Sequence, residues 1–338
     1  MTSVRRTLSP SAKLVNVQKI AQCDGHLDYI SARRAWSWHG AVVDSERKES
    51  LMESPISFFL PGAAGNLFAM YYPPAESGID SGSALYVHPF AGEMFASRNL
   101  ISALARALAG AGLGVLTVDL YGCGDSSGNF SDARWEIWRD DLAASVRWLQ
   151  AQGQDRISLW GLRLGALLAM DFAIRSQETY ERIVLWQPVL TGQNMLTQFF
   201  RMNLDEADRG LPAGQLTDAD LRKSMPAAQN VEVAGYELSW ELIRAIDRME
   251  IMPLAKSVSG PIHWTEFGER AETPFHADSL RVIEEWKRNG IRVTTQMTVG
   301  MPFWLFPHTT DPRSLAADLK ALFCGEHINE NRKWSSGK

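Results

Sequence analysis

Hydrophobic and polar positions alternate in two patterns between about residue 83 and residue 188. Short, continuous apolar runs rich in β-branched and aromatic residues predict buried strands, and longer segments with apolar residues at helical spacing predict amphipathic helices. Strands are expected at 83–90, 113–120, 156–160 and 182–188, and helices at 99–112, 132–153 and 163–176. Strands that alternate with helices form parallel βαβ units, and fully apolar strands are covered on both faces. The pattern predicts an α/β fold with a mostly parallel, doubly wound sheet.

The alternation begins after a predicted β-hairpin and is interrupted once. In the hairpin, the sequence PGAAG at 61–65 separates two apolar runs. The interruption is polar and helix-prone, with one helix expected over 236–254, and we interpret it as an inserted helical lid. Strands at 261–267 and 291–299 and helices at 277–289 and 311–323 then complete the pattern. The expected organisation is a poorly ordered extension at 1–52, a core at 53–189 and 256–325, a lid at 190–255 and a polar tail at 326–338.

Composition and charge exclude several classes of protein. The net charge is −5 over 338 residues, whereas nucleic-acid binding needs a basic surface. No apolar run approaches the roughly 20 residues that span a bilayer. The three cysteines are far apart and have no zinc-ligand spacing, which favours a reducing cytoplasm and argues against a disulfide framework or a metal site. The sequence indicates no cofactor. Met52 follows a charged run, and a translation start there is a further hypothesis.

The stretch SLWGLRLGALL at 158–168 is a strand-to-helix turn with the spacing of a nucleophile elbow, G-x-S-x-G. Arg163 occupies the position of the nucleophile. A guanidinium stays protonated and cannot attack a carbonyl carbon. Ser158 is the only serine in this stretch, and it lies inside the strand, so no shift of register restores a nucleophile.

Two further loops follow predicted strands. The sequence VDLYGCGDSSG at 118–128 is typical of a tight loop in which Asp119 and Ser126 bond neighbouring backbone, so we expect it to be structural. The sequence YVHPF at 86–90 occupies the place of an oxyanion-hole donor. Phe90 is then the donor residue, and the alternative is a plain strand end with His88 as a satisfied structural histidine.

Longer stretches resemble one family, the exosortase A system-associated hydrolases of the second type. The resemblance rests on FFLPGAAGNLFAMYYPP, ALYVHPFAGEM, VDLYGCGDSSGNFSDARWEIWRDDL, LWGLRLGALLA, LWQPVLTGQNMLTQFFR, VEVAGYELS and PFW, which cover most of residues 57–304. It implies the α/β-hydrolase fold, a bacterial origin and a setting beside exopolysaccharide synthesis and exosortase machinery. It does not imply a known substrate, and we expect a small-molecule ester, acyl or glycan substrate.

The remaining catalytic residues of such a fold are only partly present. Nucleophile, acid and histidine follow one another along the chain. Glu269 and Glu272 are the candidate acids, although neither is in register, and His308 is the best-placed histidine. Cys123 is a candidate thiol nucleophile, with a small buried residue as the alternative. Ordinary Ser-His-Asp chemistry is therefore not expected.

Arg163 at a helix N-terminus opposes the helix dipole and needs an opposite charge. One option is an internal carboxylate, such as Glu269 or Glu272. The other is an anionic ligand held by Arg163 and the amides of Leu164 and Phe90. The sequence leaves both options open, and with them a hydrolase with an unusual nucleophile and a non-catalytic scaffold that binds an anion or a glycan intermediate.

Overall fold

The fold centres on an eight-stranded sheet whose strand order is β1-β2-β4-β3-β5-β6-β9-β10. The computed structural model describes residues 54–76, 81–207, 229–307 and 310–324, all within one compact unit of the chain, residues 50–338. The strands are β1 Ile56–Pro61, β2 Asn66–Tyr72, β3 Ser83–Val87, β4 Gly114–Val118, β5 Ile157–Leu162, β6 Ile183–Trp186, β9 Ile262–Gly268 and β10 Val293–Val299. Strand β1 pairs antiparallel with β2, and β2 pairs antiparallel with β4. From β4 onward in this order, every pair of neighbouring strands is parallel. The predicted mostly parallel sheet is confirmed.

Helices cover both faces of the sheet. They are α1 Gly92–Ala109, α2 Trp135–Ala151, α3 Leu164–Ser176, α4 Gly192–Ala207, α5 Trp240–Asp247, α6 Ala277–Arg288 and α7 Pro312–Cys324. Apolar side chains of α1 and α7 form one core cluster with the sheet, and those of α2, α3 and α6 belong to a second cluster on the opposite face. The inner strands are fully buried, which explains their continuous apolar runs. No helix among the described residues is long and apolar enough to cross a membrane.

The segment between β6 and β9 differs from the prediction. The helix expected over 236–254 begins only at Trp240, because Ser239 accepts a hydrogen bond from the Leu242 N–H and caps α5 there. A small hairpin of β7 Val231–Val233 and β8 Tyr236–Leu238 precedes it. Residues 208–228 lie outside the described residues.

The start of α2 also differs from the prediction. Asp132, the first residue of the helix predicted over 132–153, instead accepts a hydrogen bond from the Asn129 N–H at 2.9 Å and closes a short 3-10 turn, Phe130–Asp132. Helix α2 begins three residues later, at Trp135. Phe130 in this turn lies over the carboxyl end of the sheet, where the candidate site is formed.

Candidate active site

The turn between β5 and α3 has a strained backbone. Arg163 has φ 57° and ψ −119°, a conformation that side-chain-bearing residues rarely adopt. Both flanking positions need glycine, because a side chain there would clash with neighbouring atoms. A Cβ on Gly161 would lie 2.5 Å from the Ala166 Cα, and one on Gly165 would lie 2.3 Å from the Val87 carbonyl oxygen. The turn therefore keeps the backbone that presents a nucleophile, but it presents a guanidinium.

The side chain of Arg163 has an internal carboxylate partner. Its Nε donates to Oε1 of Glu93 at 3.2 Å, and the two side chains are 18% and 15% exposed. The guanidinium also lies over the ring of Trp304, with its central carbon 5.6 Å from the ring centroid. Burial raises the pKa of Glu93, and the nearby Arg163 partly opposes that rise. Glu93, in the first turn of α1, thus balances the positive charge at the N-terminus of α3.

Glu93 is not one of the carboxylates considered from sequence. Glu269 and Glu272 both lie exposed on the loop after β9, whereas Glu93 and Trp304 contact Arg163. The only sequence signal for Glu93 was an acidic residue just after the HPF strand end, and for Trp304 its place in the PFW stretch.

Aromatic side chains fill the space above the turn. Phe90 packs with its ring centroid 5.4 Å from that of Phe130 and 5.2 Å from that of Phe199, and Phe130 packs at 5.1 Å from Tyr236. Phe199 belongs to α4 and Tyr236 to β8, so the segment between β6 and β9 supplies part of this packing. The remaining cavity is ≈ 10 Å³, about the minimum that one water molecule requires. No ester or acyl substrate fits there in this conformation.

Comparisons with known proteins identify the fold. The sequence model of the serine aminopeptidase S33 family (Hydrolase_4) matches residues 94–237, from α1 to β8. Est1E from Butyrivibrio proteoclasticus, solved with ferulic acid, superposes with a TM-score of 0.58 at 16% identity, over 79% of this chain and 98% of that one. A proline iminopeptidase from Mycobacterium smegmatis gives 0.53 at 15% identity, over 80% and 98%. The chain has the α/β-hydrolase fold. A search of curated proteins gave no significant match.

The residues at the end of β3, for which an oxyanion-hole donor is predicted, are held by hydrogen bonds to neighbouring backbone. His88 is buried, its Nδ1 donates to the Pro89 carbonyl at 2.8 Å, and its Nε2 accepts from the Leu120 N–H at 3.2 Å. Because Nε2 accepts from a backbone N–H it carries no proton, so the ring is neutral, and burial lowers the pKa of His88. The positive φ in this segment belongs to Ala91, while the Phe90 carbonyl accepts from the Glu93 N–H at 3.1 Å. Both ring nitrogens of His88 are committed to backbone groups.

The candidate thiol lies within the packed cluster. Cys123 is 6% exposed, and burial raises its pKa, with the carboxylates of Asp119 and Asp141 adding to the rise. Attack requires a thiolate, which this environment disfavours. Asp119 accepts from the Asp125 N–H at 3.0 Å, and the Ser126 hydroxyl donates to the Asp119 carbonyl. These are the loop hydrogen bonds that the sequence predicts.

The structure brings together only some of the candidate residues. Arg163, Leu164, Phe90, His88 and Cys123 lie around the carboxyl ends of the central strands, with Leu164 buried as the first residue of α3. His308 lies outside the described residues. Within the described ranges, no group of three or more His, Cys, Asp or Glu side chains could hold a metal ion.

Proposed function

We propose that this chain is a non-hydrolytic α/β-hydrolase-fold protein, a scaffold that serves the exosortase and exopolysaccharide system from the cytoplasm. One observation carries the proposal: the nucleophile position holds Arg163, and its guanidinium is paired with the carboxylate of Glu93. The resemblance to exosortase A system-associated hydrolases supports the setting, and the wide spacing of the cysteines supports the compartment.

The chemistry of the elbow supports the absence of serine-type catalysis. A guanidinium has no lone pair that attacks a carbonyl at neutral pH, and the only serine in the motif, Ser158, is 1% exposed inside β5. Members of a catalytic triad act as a unit, so loss of the nucleophile alone removes most of the rate enhancement. The elbow still joins β5 to α3, which pack against each other.

An anionic ligand at Arg163 has a competitor in Glu93. Glu93 accepts only from the Nε–H of Arg163, so a carboxylate, phosphate or glycan-linked anion at the Nη groups would compete with Glu93 for the charge of the guanidinium. To reach the Leu164 and Phe90 amides as well, the anion would have to open the packing around Phe90. Of the two ways to balance the elbow arginine, the internal ion pair is the one that the geometry favours, and an anion clamp with the Leu164 and Phe90 amides belongs to an opened form of the protein.

A second candidate is a hydrolase of an ester or acyl substrate that uses another nucleophile. The match of the serine aminopeptidase model and the retained elbow backbone favour it. It needs the Cys123 thiol, or a water molecule activated by His308, as the attacking group.

A panel of p-nitrophenyl esters and thioesters distinguishes the two candidates. Wild type is assayed beside Cys123→Ala, His308→Ala and Arg163→Ser, with each variant checked for folding by circular dichroism. We expect wild-type turnover no faster than the uncatalysed reaction. Wild-type turnover that disappears in Cys123→Ala or His308→Ala would establish the second candidate. Activity that appears only in Arg163→Ser would show that arginine silences an otherwise complete site, in agreement with the proposal.

A further inference from the structure

The last strand of the sheet, β10, has an outer edge that no described residue pairs with. The Arg292 carbonyl accepts from the Ile262 N–H at 2.9 Å, and the Gly300 N–H donates to the Gly268 carbonyl at 3.0 Å. In a parallel ladder, alternate residues bond to the same neighbour, so the even-numbered residues of β10 bond to β9. The backbone groups of the odd-numbered residues point outward. These residues are Val293, Thr295, Met297 and Val299.

This edge lacks the features by which proteins usually block edge pairing. Edge strands are commonly protected by charged side chains, proline or bulges. The sequence VTTQMTV of β10 contains no charge and no proline, and its register with β9 runs without a bulge over all seven residues. The opposite edge strand, β1, ends in Pro61. Both edge strands are uncharged, but only β1 carries a proline, so among the described residues the β10 edge is the less protected one.

Exposed apolar side chains concentrate at the same end of the sheet. Nine large hydrophobic side chains are exposed among the described residues, and five of them lie on β10, on the loop after it or on α6, which packs beside it. These five are Leu280, Val299, Met301, Leu305 and Phe306. Apolar surface gathered beside an unpaired strand is typical of a protein–protein interface.

We propose that β10 pairs with β10 of a second copy of this chain, antiparallel about a two-fold axis at Gln296. Gln296 is the midpoint of Val293–Val299, so this register pairs every residue of the strand. It places Thr295 opposite Met297 and Arg292 opposite Gly300, so no like charges meet. Each copy carries a net charge of −5, and an uncharged edge is where two such copies approach without direct repulsion.

The register predicts a selective cross-link. Gln296 faces Gln296 of the second copy, and because its backbone groups bond to β9, the two residues form a non-hydrogen-bonded antiparallel pair. In such a pair the Cα atoms are about 4.5 Å apart, within the range of a disulfide. Gln296→Cys in both copies should therefore form a covalent dimer when diamide removes two electrons and two protons from the paired thiols. In Thr294→Cys the two thiols lie four residues apart along the strands, roughly 13 Å, and should not join. Both substitutions remove one hydrogen bond to His263, which makes them a matched pair.

Non-reducing electrophoresis of the full chain reads out the cross-link, with wild type under diamide as the baseline for the native cysteines. We expect a dimer band for Gln296→Cys well above that for Thr294→Cys and wild type. Equal bands for the two variants would overturn the register.

Sedimentation velocity over a concentration series tests the interface itself. Wild type should form a dimer, and Thr295→Lys should weaken it at least about tenfold, because two lysines are then buried at the edge. Ile56→Lys, which adds the same charge to the other edge strand, should leave it unchanged. A wild-type chain that stays monomeric at every concentration, or a dimer that Thr295→Lys leaves intact, would overturn the proposal.

Discussion

Removal of either partner of the Arg163–Glu93 pair should destabilise the protein, and the two effects should not add. At 3.2 Å and an effective dielectric constant of about 20, the gross attraction is about 5 kcal/mol. Desolvation of both ions offsets much of it. The pair is neither fully buried nor ideally short, and the second oxygen of Glu93 has no hydrogen-bond partner among the described residues. We therefore expect a coupling energy of about 2 kcal/mol.

A double-mutant cycle of Arg163→Met and Glu93→Gln, followed by urea unfolding, measures this coupling. The two single variants need not lose equal stability. In Arg163→Met, Glu93 remains buried without its counter-charge, whereas in Glu93→Gln the guanidinium keeps its contact with Trp304.

The pH dependence of Arg163→Met provides a second test. Burial already raises the pKa of Glu93, and loss of Arg163 raises it further. A raised folded-state pKa means that stability is present at low pH and is lost as the pH increases. Arg163→Met should therefore lose more stability at pH 8 than at pH 5.

In the double-mutant cycle, a coupling energy below about 0.5 kcal/mol, typical of an exposed pair, would refute the interpretation of the elbow as a structural ion pair.

Three other substitutions follow from the packing. Gly165→Ala should destabilise the fold by at least about 3 kcal/mol in thermal unfolding, because its Cβ would overlap the Val87 and His88 carbonyls; a change below 1 kcal/mol would contradict the elbow geometry. Burial raises the pKa of Asp141 from 3.8 to about 6, so wild type should lose about 2 kcal/mol relative to Asp141→Asn between pH 4 and 7, a difference that the exposed control Glu136→Gln should lack. Phe90→Ala should cost about 3–5 kcal/mol by opening the aromatic cluster, and unchanged stability would show that the cluster is loose.

Sequence reasoning predicted the sheet and the elbow because both depend on local patterns. Apolar runs such as ISLWGL mark strands that are buried on both faces, and the glycines on either side of Leu162-Arg163-Leu164 mark a turn that only glycine can flank. The residues that form each strand, and those that form the elbow, are close together in the chain, so both patterns can be recognised without the tertiary structure.

The partner of Arg163 was not predictable in the same way. Glu93 and Arg163 are 70 residues apart, and they meet because α1 begins above the same end of the sheet where β5 ends. Several acidic residues fall in loops at that end, and only the approach of α1 distinguishes Glu93 from Glu269 or Glu272.

The small hairpin was missed for a local reason. Ala234 and Gly235 both have positive φ, as a two-residue hairpin turn of the type I′ class requires. The sequence VEVAGYEL alternates as a hairpin should, but its strands are only three residues long, and the helical pattern that follows extended the predicted helix back over them.

The most direct test of a silenced elbow is covalent labelling of the wild-type chain by a fluorophosphonate, followed by intact-mass measurement and peptide mapping. Fluorophosphonates react with activated hydroxyl nucleophiles. We expect an unmodified wild-type chain, because Arg163 occupies the nucleophile position and is bound to Glu93. Stoichiometric, saturable labelling at one serine or threonine, lost on unfolding, would contradict the central claim and show that the protein has an active nucleophile elsewhere.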